Sequence, residues 1–185
     1  MNIMIVGVGG QGTLLASRIL GKVAIKEGYD VKVSEVHGMS QRGGSVVTYV
    51  KYGDKVYSPI IDRGESDLIL AFEMLEAMRA LPYLKKGGKM IANTQKMNPM
   101  PVITGAMEYP ENIEEKLSAK INLQAVDALS LAEKAGTIKA VNVVLIGLLA
   151  KSMDVDKNVW IDVIKETVPE KFLDVNIKAF ELGYE

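Results

Sequence analysis

The opening stretch "NIMIVGVGGQGTLLASRILGKVAIKEG", residues 2–28, limits the fold more than any other part of the chain. Residues 2–7 are largely apolar and β-branched, as in a strand buried on both faces of a parallel sheet. Glycines follow at Gly7, Gly9, Gly10 and Gly12. Leu14, Leu15, Ile19 and Val23 then recur at helical spacing, and Gly28 is placed to cap that helix. "VKVSEV", 31–36, alternates as a second strand. Strand, glycine turn, helix and strand form one right-handed, Rossmann-like β-α-β unit.

The rest of the chain supports an α/β class with a three-layer α/β/α arrangement. "SVVTYVKYGDKVYSPII", 45–61, places alternating β-formers on both sides of Gly53-Asp54. That pattern predicts an inserted hairpin, which would make a mostly parallel sheet mixed. "DLILAF", 67–72, is a buried strand, followed by a helix from Glu73 to about Leu84 that Lys85-Lys86-Gly87-Gly88 closes. "KMIAN", 89–93, is a strand. Residues 95–110 hold three prolines and no clean period, and read as an excursion with room for short strands. A short helix, a strand ("KINLQAVD") and a helix ("ALSLAEKAG") follow. "KAVNVVLIGLLAKSM", 139–153, is apolar nearly all round, so it predicts a buried helix on which Asn142 needs a polar partner. Residues 156–183 read as helices. No linker or repeat interrupts the chain, so 1–185 reads as one domain.

Gly7, Gly9 and Gly12 satisfy G-x-G-x-x-G between a strand and a helix. That context suits a phosphate cradle: glycine admits close backbone approach, and a helix N-terminus favours an anion. Gly10 and Gln11 complete the candidate loop, and Glu35 stands where a ribose-binding acid would. The plainer reading is that the glycines only permit tight strand–helix packing. Gly10 and Gln11 exceed what a dinucleotide turn needs, and the second strand leads into another polar glycine loop instead of a helix.

That second loop, "EVHGMSQRGGS", 35–45, gathers the only histidine, His37, with Ser40, Gln41 and Arg42, the last being one of four arginines. Gly38, Gly43 and Gly44 surround them. Ligands of open α/β sheets gather outside the carboxyl ends of the strands, so the loops at 7–12 and 37–44 should be neighbours. The competing reading is that His37 and Arg42 only satisfy carbonyls in a turn. Glu73 and Glu76 read as a solvated helix face, and Lys85-Lys86 as a solvated helix end. Two stretches read as partner-binding surface: the Met- and Pro-rich 97–110, and the C-terminal helices around Trp160 and Phe172.

Composition removes several function classes. With no cysteine there is no disulfide, no thiol nucleophile and no cluster held by the chain's own thiolates. A single histidine removes a multi-His metal site within one copy, so no metal site and no catalytic residue is assigned. The net charge of -1 gives no general attraction to nucleic acid or anionic membrane. No apolar run is long enough to span a bilayer, and no secretory pattern follows Met1, so cytoplasmic residence is the default.

"IMIVGVGGQGTLLASRIL" and "SEVHGMSQRGGSVVTYVKYG" together resemble the gamma-type domain of the 2-oxoacid:ferredoxin oxidoreductases. The likeness covers essentially the whole chain and is most specific at 5–20 and 35–53. His-Gly-Met-Ser-Gln ahead of Arg-Gly-Gly looks like the small subunits of the indolepyruvate, or arylpyruvate, branch. The resemblance implies oxidative decarboxylation of arylpyruvates, with coenzyme A taking the acyl group and ferredoxin the electrons. It also implies thiamine diphosphate, magnesium and iron–sulfur clusters. The chain shows no G-D-G…N-N signature for the magnesium diphosphate site, so these cofactors are expected on a larger partner subunit. This chain would be an accessory subunit, inactive alone, whose 35–45 loop completes a substrate or coenzyme A site. The alternatives are a gamma subunit for pyruvate or branched-chain 2-oxoacids, and a free-standing NAD- or nucleotide-binding protein.

Overall fold

The computed structural model describes residues 1–38 and 43–185. In chain order the elements are β1 (Asn2–Val8), α1 (Thr13–Lys26), β2 (Asp30–His37), β3 (Ser45–Gly53), β4 (Ser66–Ala71), α2 (Met74–Ala80) and β5 (Leu84–Asn93). They continue with α3 (Met100–Ile103), α4 (Ile113–Ser118), β6 (Asn122–Val126), α5 (Ala128–Ala135), α6 (Val141–Lys151), α7 (Lys157–Thr167) and α8 (Leu173–Tyr184).

The six strands form one mixed sheet in the order β2-β3-β1-β4-β5-β6. β1, β4, β5 and β6 are parallel, whereas β3 is antiparallel to both β1 and β2. The period-two alternation of β1 feeds two cores. Ile3 and Ile5 face α1, α6, α7 and α8, while Met4 and Val6 face α2 and α4. Helices therefore cover both faces, as the three-layer expectation required.

α6 is buried from Val141 through Ala150. Its approach to α8 depends on two glycines: a Cβ on Gly147 would stand 2.2 Å from the Phe180 carbonyl oxygen, and one on Gly183 2.0 Å from that of Val144. Trp160 is fully buried and stacks on Phe180 at 6.4 Å, so its place as partner-binding surface is corrected to core.

Three element readings also change. No hairpin forms at Gly53-Asp54: β3 pairs instead along the full length of β2, from Asp30↔Gly53 to His37↔Val46. Beyond Gly53 the chain leaves the sheet; Asp30 fastens it by accepting from the Val56 N–H at 3.0 Å, and Pro59 has no N–H to offer a ladder. α2 ends at Ala80 and a 3-10 turn, Leu81–Tyr83, carries the helical stretch almost to the expected Leu84, but Lys85-Lys86 lies in β5 at a register shift against β4, not at a helix end. Within the excursion at 95–110 the one regular element is not a strand but a helical turn, α3, which Pro99 precedes.

Candidate functional site

β1, β2, β4, β5 and β6 all end at one side of the sheet, and β3 begins there. The two glycine loops meet at that side. Gly9 N–H donates to the Gly44 carbonyl at 2.8 Å, and Gly43 N–H donates to the Gly9 carbonyl at 3.2 Å. Ser40, Gln41 and Arg42 lie outside the described residues.

Within the first loop, the candidates divide by role. Gln11 turns inward: Oε1 accepts from Val8 N–H at 2.8 Å, and Nε2 donates to the Phe72 carbonyl at 3.1 Å. A Cβ on Gly7 would stand 2.9 Å from both Gln11 Oε1 and Phe72 Cβ. Gly12 holds φ 86°, with space for a Cβ closed by Asn142 Nδ2 at 2.5 Å. Asn142 Nδ2 in turn donates to the Gly12 carbonyl at 3.4 Å, which supplies the polar partner its burial demands. Gly7, Gln11 and Gly12 therefore close and pack the turn. Gly10, at φ 103°, faces open space.

The open side is a cleft of about 450 Å³ lined by Gly9, Gly10, Thr13, Leu14, Glu35 and His37. α1 starts here with no side-chain cap and no acidic residue in its first turn. Its leading N–H groups and positive dipole end are thus available to an anion. Glu35 accepts from Thr48 Oγ1 at 3.4 Å, and the exposed His37 ring pairs with the Gly38 carbonyl at 3.0 Å.

On the α2 side of the same strand ends is a second cleft of about 400 Å³, between Gly43–Ser45, Leu75, Arg79 and the segment 97–103. Two carboxylates read from sequence as solvated build it; both are buried, Glu73 at 1% exposure and Glu76 at 4%. Glu73 caps α2 by accepting from Glu76 N–H at 2.9 Å. Its other oxygen accepts from Met97 N–H at 3.0 Å and from the Tyr109 hydroxyl at 2.5 Å. Burial, then the bond to Glu73, pushes the Tyr109 hydroxyl far above the usual tyrosine range. Glu76 accepts from Ser45 Oγ and pairs with Arg79 Nη1, both at 2.6 Å. The sequence signal for burial was Glu73 at the junction of a buried strand and a helix, with Glu76 one turn on, resembling a capping box.

Among the described residues no group of three His, Cys, Asp or Glu side chains could hold a metal ion. No described helix is long and apolar enough to cross a membrane.

This fold and sequence define a class: the chain belongs to the pyruvate ferredoxin/flavodoxin oxidoreductase family, whose pattern matches residues 2–185. It is 45% identical to the indolepyruvate oxidoreductase subunit IorB of Thermococcus kodakarensis, over 98% of this chain and 93% of that one. The pyruvate/ketoisovalerate oxidoreductases common subunit gamma of the same organism is 29% identical, over 96% of this chain and 92% of that one. The gamma subunit of a keto/oxoacid ferredoxin oxidoreductase from Geobacter sulfurreducens superposes with a TM-score of 0.73 at 25% identity, covering 99% of this chain and 95% of that one.

Proposed function

We propose that this chain is the accessory subunit of an arylpyruvate (indolepyruvate):ferredoxin oxidoreductase. The carrying observation is the gap in likeness: 45% identity to the indolepyruvate subunit against 29% to the pyruvate/ketoisovalerate gamma subunit of one organism. In the reaction, an arylpyruvate loses carbon dioxide, its acyl group passes to the coenzyme A thiol, and ferredoxin takes the two electrons released.

The residues present do not fit the hard cofactors. A cluster needs thiolates, and the chain has no cysteine. Thiamine diphosphate, which supplies the carbanion chemistry, its magnesium and the clusters therefore belong on a larger, cytoplasmic partner chain. This chain's share is binding and positioning. The N–H groups at the start of α1, with the backbone of Gly9 and Gly10, suit one anion: a coenzyme A phosphate or the 2-oxoacid carboxylate. Gly43 and Gly44, bonded to Gly9, anchor the loop that carries His37, Ser40, Gln41 and Arg42, which we assign to the shared site.

The test is co-purification with the companion chain, followed by assay with indolepyruvate, phenylpyruvate, pyruvate and branched-chain 2-oxoacids. Coenzyme A-dependent ferredoxin reduction should favour the aryl substrates; turnover by this chain alone overturns the accessory reading. Arg42→Ala should leave assembly intact and lower kcat/KM for coenzyme A or arylpyruvate at least about tenfold, as loss of a charged hydrogen bond worth roughly 1.5–3 kcal/mol implies. Arg42→Lys should restore only part, since an ammonium lacks the guanidinium fork. Normal kinetics in an Arg42→Ala complex that melts earlier would reduce Arg42 to a turn-closing residue.

A further inference from the structure

We infer that the strap at 97–107 is the surface on which the larger oxidoreductase chain docks. Together with Gly43–Ser45 and Arg79, it forms a cleft that receives apolar side chains of that chain. This rests on the accessory-subunit reading above.

The strap is apolar and exposed, yet held in one place. From Met97 to Met107 there is no charged residue, in a chain in which 24% of residues are charged. Met100, Ile103 and Met107 are each about two-thirds exposed, at 66%, 65% and 65%. An excursion that only connects β5 to α4 would be expected to carry solvating charge. Instead, both legs are tied to one buried carboxylate: Glu73 takes the Met97 N–H and the Tyr109 hydroxyl on the same oxygen. Met74 N–H also donates to the Gln95 carbonyl at 3.1 Å. A pre-ordered apolar face loses little further freedom when a partner covers it.

Continuity decides the occupant. One helical turn beyond Glu73, Glu76 binds Ser45 at the end of the second glycine loop. α2 therefore holds the strap and the loop base side by side, lining one cleft. The loop is assigned to a site shared with the larger chain, so a chain that reaches the loop also lies over the strap. A second copy of this chain would gain no such coincidence. Methionine suits the role, because its flexible thioether adapts to an apolar partner.

The test uses the thiamine- and cluster-carrying chain that co-purifies with the wild-type protein. A Met100→Glu/Ile103→Glu variant should keep the wild-type melting temperature but lose at least about tenfold in affinity for that chain, since it puts two charges where apolar contact is expected. Ile25→Glu, an exposed apolar position at the far end of α1, should assemble normally. In wild-type protein, amide exchange over 97–107 should slow on complex formation, a readout independent of whether the variant folds. Wild-type affinity in the double variant, or unchanged exchange over the strap, overturns the inference while leaving the functional reading intact. Strap-dependent self-association of the isolated chain would assign the surface to a second copy and equally overturn it. Failure of any such chain to co-purify with wild type overturns the functional reading itself.

Discussion

Gly12 and Gly10 look equivalent in sequence and are opposites in space. Both have positive φ, but a Cβ on Gly12 meets Asn142 at 2.5 Å, whereas one on Gly10 meets nothing within 4 Å. Gly12→Ala therefore combines left-handed strain with overpacking and should destabilise the chain by about 2–5 kcal/mol in urea titrations. Gly10→Ala carries the strain alone and should cost about 1–2 kcal/mol. Asn142→Ala placed on Gly12→Ala should recover part of the loss, because it removes the collision but not the strain. Equal losses at the two glycines would mean that Asn142 moves aside freely. The glycine pattern itself was legible, but its purpose was not. A missing Cβ admits a ligand's phosphate or a neighbouring asparagine alike, and Asn142 lies 130 residues away in sequence.

At the scale of elements, long and strongly patterned segments were legible: β1, α1, β4 and the nearly all-apolar α6 fall where the pattern placed them. What failed was non-local. The hairpin expected at Gly53-Asp54 does not form, although the local signal is there: β3 pairs with β2, and the chain beyond Gly53 leaves the sheet without a returning strand. Glu73 and Glu76 were misread because charge predicts solvent, and the partners that permit burial, Met97, Tyr109 and Ser45, are remote in sequence. Glu73→Ala removes the cap of α2 and leaves the Tyr109 hydroxyl and Met97 N–H without their acceptor. The expected loss is about 2–4 kcal/mol, with faster amide exchange across the strap. Tyr109 adds an alkaline signature. A hydroxyl whose folded pKa is raised contributes stability that is present below the ordinary tyrosine value of about 10 and lost as pH rises through the folded value. Wild type should therefore lose stability faster than Tyr109→Phe between about pH 10 and pH 12. Tyr52, pushed up to about 12 by burial, contributes the same trend to both proteins and cancels in the comparison. Parallel alkaline curves for the two would mean that the Tyr109 hydroxyl is neither buried nor bonded to Glu73.

For the molecule as a whole, the decisive feature is the place of β3. A chain opening β-α-β through G-x-G-x-x-G invites a dinucleotide fold, in which the first two strands lie side by side and the acid ending the second reaches the ribose. Here β3 enters antiparallel between them. With neighbouring strands about 4.8 Å apart, β2 is displaced about 10 Å from β1. Glu35 shifts outward with it, still lining the cleft at the start of α1, and is held by Thr48 Oγ1 on β3. Hydrophobic alternation cannot report this, because it records which face of a strand is buried and not which strand lies next to it. The consequence is measurable. Calorimetric titration of the isolated chain with NAD should show no saturable binding tighter than about millimolar, a limit of about −4.1 kcal/mol. The anion-ready start of α1 can still meet a lone phosphate, so weak, salt-sensitive binding of coenzyme A is compatible with the same geometry. Micromolar affinity for NAD, abolished by Glu35→Ala and unaffected by the companion chain, would place a free-standing nucleotide-binding role ahead of the accessory one.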